Sequence, residues 1–184
     1  MPITRPTSYK DIPGWFDFPS VYDEALRTAQ DGDILIEVGT AYGKSAAYMG
    51  QIIKDSGKDV KFYAVDHFAG TASDPAGTYA ANMFEQWVWN MHNCGVNEQV
   101  QLIQMNSIAA AKQFKAKTVH FVFIDAAHDY ESVKADIAAW KGKVKPGGIF
   151  AGHDYGSHPG VRQAVDEAFG DRVIQSGNSW VMLM

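Results

Sequence analysis

Apolar runs of strand length recur along this chain at Asp33–Val38, Val60–Val65, Gln99–Gln104, Val119–Ile124 and Gly148–Ala151. Helix-period patterns separate them, at Tyr42–Lys54, Tyr79–Cys94, Ile108–Phe114, Tyr130–Lys141 and Pro159–Phe169. Strict alternation of strand and helix predicts an α/β fold with a parallel sheet covered by helices. The run VHFVFID is near-continuous and rich in Val and Phe, as a strand buried on both faces requires. The last helix opens on a proline, where no amide partner is lost. Beyond it, DRVIQ and SWVML flank the turn-prone triplet SGN, which predicts a terminal antiparallel hairpin. Ahead of the first strand, Val21, Ala25, Leu26 and Ala29 line one face of a helix over Pro19–Gln30.

The junction of the first strand and helix reads ILIEVGTAYGKS, and the second strand ends in an acid, Asp66. Gly39 and Gly43 have access to backbone angles closed to other residues and let a ligand approach the main chain. A carboxylate at Asp66 is placed to accept hydrogen bonds from both hydroxyls of a ribose. Together these features outline a nucleoside site. The loop is one residue short of the phosphate-cradling GxxxxGK[ST] pattern, and Ala41 stands where a dinucleotide fingerprint needs glycine. The blander reading is a tight strand-to-helix turn.

The 184 residues fit one domain with a sizeable core; the first 18 form an N-terminal extension whose Pro6, Pro13, Trp15, Phe16 and Phe18 read first as simple core packing and otherwise as a lid over the substrate mouth or a subunit interface. A net charge of −5 without a basic run argues against nucleic acid as the main partner. Cys94 is the lone cysteine, which suits a reducing cytoplasm. With no apolar leader and no run of membrane-spanning length, the expectation is a soluble cytoplasmic protein acting on a small molecule.

EVGTAYG matches the ExGxxxG motif of the class I S-adenosylmethionine-dependent methyltransferases, and the chain resembles that family from about Pro19 to Met184. The resemblance implies a Rossmann-like, doubly wound, mostly parallel sheet with helices on both faces and an antiparallel C-terminal hairpin. It implies S-adenosyl-L-methionine as cofactor, held by the loop Glu37, Gly39, Thr40, Gly43 and Ser45, by Asp66 and His67, and by Asn106, Ser107 and Asp125. Ser107 is equally readable as the cap of the helix that follows. The segment from IDAAHDY to GHDY resembles the small O-methyltransferases related to the macrolide-sugar and catechol enzymes. That likeness implies a divalent metal, Mg²⁺ or another ion, on Asp125 and the pair His153 and Asp154. His153 departs from the oxygen ligand expected there, and imidazole better suits transition metals.

Methyl transfer from a sulfonium requires the acceptor to lose a proton. An imidazole is the side chain best suited to proton transfer at neutral pH, and His128, three residues past Asp125, is the candidate general base, with Asp125 beside it. Each has a structural reading: His128 as a helix-start residue beside a cap made by Asp129 or Ser132, Asp125 as a strand-terminal acid. His67 and His158, near the same rim, read more readily as structural or surface groups. Phe84, Trp87, Trp89 and Met91 suggest either an acceptor pocket or core packing, and glycine-rich PAGTYAA before them suggests a mobile connection, which the resemblance implies helps close over cofactor and substrate. The expected activity is O-methylation of a small hydroxylated acceptor, a sugar or polyphenol, by a protein whose oligomeric state is open, with a homodimer favoured. The competing expectation is a non-catalytic module that only senses the cofactor.

Overall fold

The structure is a computed structural model that describes residues 5–70 and 82–184. The segment PAGTYAA and the start of the expected Tyr79–Cys94 helix lie wholly or partly outside the described residues. Helices are α1 (Pro19–Thr28), α2 (Lys44–Ser56), α3 (Met83–Asn93), α4 (Ser107–Ala111), α5 (Tyr130–Trp140) and α6 (Pro159–Phe169). Strands are β1 (Ile34–Val38), β2 (Lys61–Asp66), β3 (Val100–Gln104), β4 (Val119–Ile124), β5 (Val144–Gly152), β6 (Ile174–Ser176) and β7 (Ser179–Leu183). The sheet runs β3-β2-β1-β4-β5-β7-β6, with β7 antiparallel to both of its neighbours and the other pairings parallel.

Alternation along the strands divides the core into two layers. Leu35, Phe62, Phe121 and Phe123 face α1, α2 and α3. Ile36, Val38, Val122 and Phe150 face α4, α5 and α6. The chain reverses direction across the sheet between β1 and β4, so the carboxyl ends of these two strands open a crevice between oppositely winding halves. Gly39 lies at that point with φ +85°, and a Cβ there would collide with the Asp125 carbonyl. The close approach of the two strand ends therefore requires glycine.

The N-terminal segment packs across the α1 and α2 side. Ile12 and Phe18 are buried, Phe18 stacks on Phe123 at 4.5 Å, and Tyr9 and Phe16 meet Tyr48 at 5.0 and 4.9 Å. Trp15 stays 82% exposed. No described helix is long and apolar enough to cross a membrane.

Candidate functional site

A cavity of about 310 Å³ opens at the carboxyl ends of β1, β2, β3 and β4. Gly39, Thr40, Asp66, His67, Asn106, Ser107 and Asp125 all line it, which brings seven of the expected cofactor-binding residues to one wall. Asp66 holds the loop together from within: Thr40 N–H (2.9 Å) and Ala41 N–H (3.2 Å) donate to its Oδ2, and Phe68 N–H (2.8 Å) to its Oδ1. Ala41 takes φ +45°, a conformation that strains a residue with a Cβ.

Glu37, Gly43 and Ser45 were expected to touch the ligand but lie behind the loop rather than on the cavity wall. The two-residue alternation of β1 sends Glu37 into the α1 and α2 layer. There it is fully buried, accepting from Tyr22 Oη–H at 2.7 Å and from the Ser45 hydroxyl. Burial outweighs those donors and pushes its carboxyl up to about 7. Gly43 caps α2 at φ +85°, its face closed by Trp87 and Met91 of α3. These three residues form the bed of the loop.

The aromatic group on α3 divides. Trp87 and Met91 are core, Trp87 donating to Thr40 Oγ1 at 3.1 Å, whereas Trp89 is exposed. Asn106, rather than Ser107, caps α4, accepting from Ile108 N–H.

Beyond Asp125 the wall becomes a cluster of titratable side chains. His153 is buried, with Nε2 at 2.8 Å from Asp17 Oδ1 and Nδ1 at 3.3 Å from Asp154 Oδ1 and 3.9 Å from Asp125 Oδ1. Burial opposes its charge, but the three carboxylates prevail and raise its pKa to about 9. Burial likewise lifts Asp125 to about 6, His153 pulling it down and Asp154 pushing it up. Asp154 behaves oppositely. Burial is outweighed by hydrogen bonds from His128 and His153, which hold its carboxyl far below the ordinary range.

Asp154 itself adopts φ +63°, turning its side chain back toward β4. His128 Nε2 lies 3.0 Å from its Oδ2, and His158 Nδ1 lies 3.3 Å from its Oδ1. The His128 and His158 rings stack at 4.3 Å. His158, expected to be a structural or surface group, remains partly exposed and joins the cluster at its edge. The cap of α5 falls to Asp129, which accepts from Ser132 N–H, so His128 precedes the helix and stays with the site.

Two residues escaped the sequence reading. Asp17 gave no signal, since its tie to His153 joins segments 136 positions apart. Asp136 did leave one. Val133, Asp136, Ile137 and Trp140 form the buried stripe of α5, and an acid on such a stripe stands out. Asp136 lines the cavity, and burial pushes its carboxyl up to about 6 against the Ser107 hydroxyl, which draws it down.

A parallel-sheet crevice with a glycine loop, an acid after the second strand and this strand order defines the class I methyltransferase fold. A methyltransferase-domain family model matches residues 36–155, well over half of the chain, and the chain belongs to that family. It is similar to the O-methyltransferase NovP, with a TM-score of 0.65 and 20% identity over 89% of this chain and 76% of NovP. CalS11, a TDP-rhamnose 3'-O-methyltransferase, is similar at a TM-score of 0.59 and 15% identity, covering 90% of this chain and 76% of CalS11. A Streptococcus mutans methyltransferase solved with SAH superposes at a TM-score of 0.63 and 12% identity, over 92% of this chain and 97% of the other. Among curated proteins, an uncharacterized protein, y4gI, of Sinorhizobium fredii (strain NBRC 101917 / NGR234) is 24% identical over 157 residues. Those residues make up 84% of this chain and 16% of the relative, so the chain spans about a sixth of that protein's length.

Proposed function

We propose that the protein transfers a methyl group from S-adenosylmethionine to a hydroxyl of a small acceptor such as a sugar or polyphenol. The observation that carries this reading is the position of Asp125, which belongs both to the cavity wall and to the histidine–aspartate cluster. A ligand that fills the cavity therefore ends beside groups able to take a proton. NovP and CalS11, both O-methyltransferases by name, share the fold and support the choice of oxygen.

The cofactor would lie with its ribose at Asp66 and its amino-acid end toward Gly39 and Asp125, and it supplies the electrophilic methyl group. His128, its Nε2 3.0 Å from Asp154 Oδ2, is the base whose imidazole takes the acceptor proton. Asp154 orients the ring and stabilises the imidazolium that results.

The residues also fit a divalent ion. Asp125, His153 and Asp154 each offer one ligand atom, all within 4.8 Å of one another. Asp17 takes the Nε2–H of His153, the second-sphere arrangement that presents Nδ1 as a ligand. A bound ion would lower the pKa of an acceptor hydroxyl, and the nitrogen donor favours a transition metal over Mg²⁺.

The test is methyl transfer from labelled S-adenosylmethionine to a panel of sugars, catechols and amines, with and without Mn²⁺ or Mg²⁺. Labelled hydroxylated products that disappear in the His128→Ala variant support the reading. Turnover of amines alone, or cofactor binding with no acceptor used, contradicts it.

A further inference from the structure

Asp136 is buried at 6% exposure on the cavity wall, takes no part in the ion pairs of the cluster at Asp154, and has no task in the mechanism above. Its surroundings narrow what it can do. Trp140 Nε1–H donates to Ser107 Oγ at 2.9 Å, and the Ser107 hydroxyl proton is in turn given to Asp136. The only hydrogen of Ser107 is thereby committed within the protein. The carboxylate is an acceptor with up to four lone-pair sites, of which Ser107 uses one.

The direction of the ligand follows from the reading above, on which this inference rests. With the ribose at Asp66 and the reacting end at Asp125, the base must extend the other way, toward Asn106, Ser107 and Asp136. We infer that Asp136 reads the purine, accepting a hydrogen bond from the exocyclic amine of adenine, while Ser107 serves to position that carboxylate rather than to contact the base as its main partner.

The chemistry separates adenine from its nearest analogue. Adenine presents a donor at the 6-position, and hypoxanthine presents an acceptor, which would face the carboxylate oxygen with no proton between them. A buried polar site built for one partner rejects the analogue that leaves it unpaired. Discrimination of about 10- to 100-fold follows from a charge-assisted hydrogen bond of ordinary strength.

The experiment is calorimetric titration of the full chain with S-adenosylhomocysteine and with S-inosylhomocysteine, in the wild type, Asp136→Asn and Asp136→Ala. The wild type is expected to prefer the adenosyl ligand by at least about tenfold. Asp136→Asn offers an amide N–H₂ to the hypoxanthine oxygen, so the preference should shrink to within about threefold or invert. A purely structural role for Asp136 would weaken both ligands together and leave their ratio unchanged. Asn is close to isosteric with Asp, so this variant carries the test if the alanine variant does not fold. A wild type that binds both ligands equally, or variants that keep its ratio, overturn the inference alone. Failure of the wild type to bind either ligand overturns the methyltransferase reading and the inference with it.

Discussion

The two halves of the site are built from different materials. On the β1–β2 side, the wall is backbone: a glycine loop whose amides are pinned by Asp66, on a bed of Glu37, Ser45 and Trp87. On the β4–β5 side, the wall is side chain: Asp17, Asp125, His128, His153, Asp154 and His158 all lie within one ionic network. Fixed dipoles suit a ligand that is always the same, whereas titratable groups suit chemistry that moves protons. The difference teaches that recognition and reaction are separable here, with Asp125 as the hinge between them.

That separation is exposed to experiment. His128→Ala should lower kcat about 10²- to 10⁴-fold, as loss of a general base does, while S-adenosylhomocysteine affinity by calorimetry stays within about threefold. Equal losses of both would merge the two halves.

Glu37 should mark the backbone side by its effect on stability. Its folded-state pKa of about 7 lies above the ordinary 4.5, so the folded state holds a proton that the unfolded chain has released. Between those values this group should cost about 1.4 kcal/mol of stability per pH unit as pH rises, and nothing below 4.5. Comparing urea melts of the wild type and Glu37→Gln from pH 4.5 to 8 isolates this slope, and parallel curves would refute it.

The side-chain half should show pH dependence of the opposite sign. A metal ion must displace the proton from His153, whose pKa is about 9, so Mn²⁺ affinity should rise about tenfold per pH unit from 6.5 to 9. A flat profile by calorimetry would remove His153 from the ligand set. The smallest expected effect is at Ala41, where glycine should relieve the positive φ and add about 1 kcal/mol of stability without changing kcat.

The same division explains what could be read from the chain. Gly39, Thr40 and Asp66 act locally, through spacing and strand ends, so their places on the cavity wall followed from the pattern, whereas Glu37, Gly43 and Ser45 fell behind the loop. The cluster draws on segments far apart: Asp17 meets His153 only because the N-terminal segment crosses the α1 face, and no local periodicity encodes that crossing. Strand ends erred for a related reason. The expected Gly148–Ala151 strand extends to Val144–Gly152, with the β4–β5 register shifting between Val119 and Phe121 to take in Pro146 and Gly147. The expected start of α2 at Tyr42 moved to Lys44 because Gly43 holds a left-handed conformation no helix continues through.

The most direct test of the account is titration of S-adenosylhomocysteine into the wild type and the Asp66→Ala variant. Removing the carboxylate should release the Thr40 and Ala41 amides and the ribose contact together, weakening binding about 100-fold or more while the fold persists by circular dichroism. Wild-type binding that survives the substitution unchanged would contradict the placement of the cofactor and, with it, the division of the site described above.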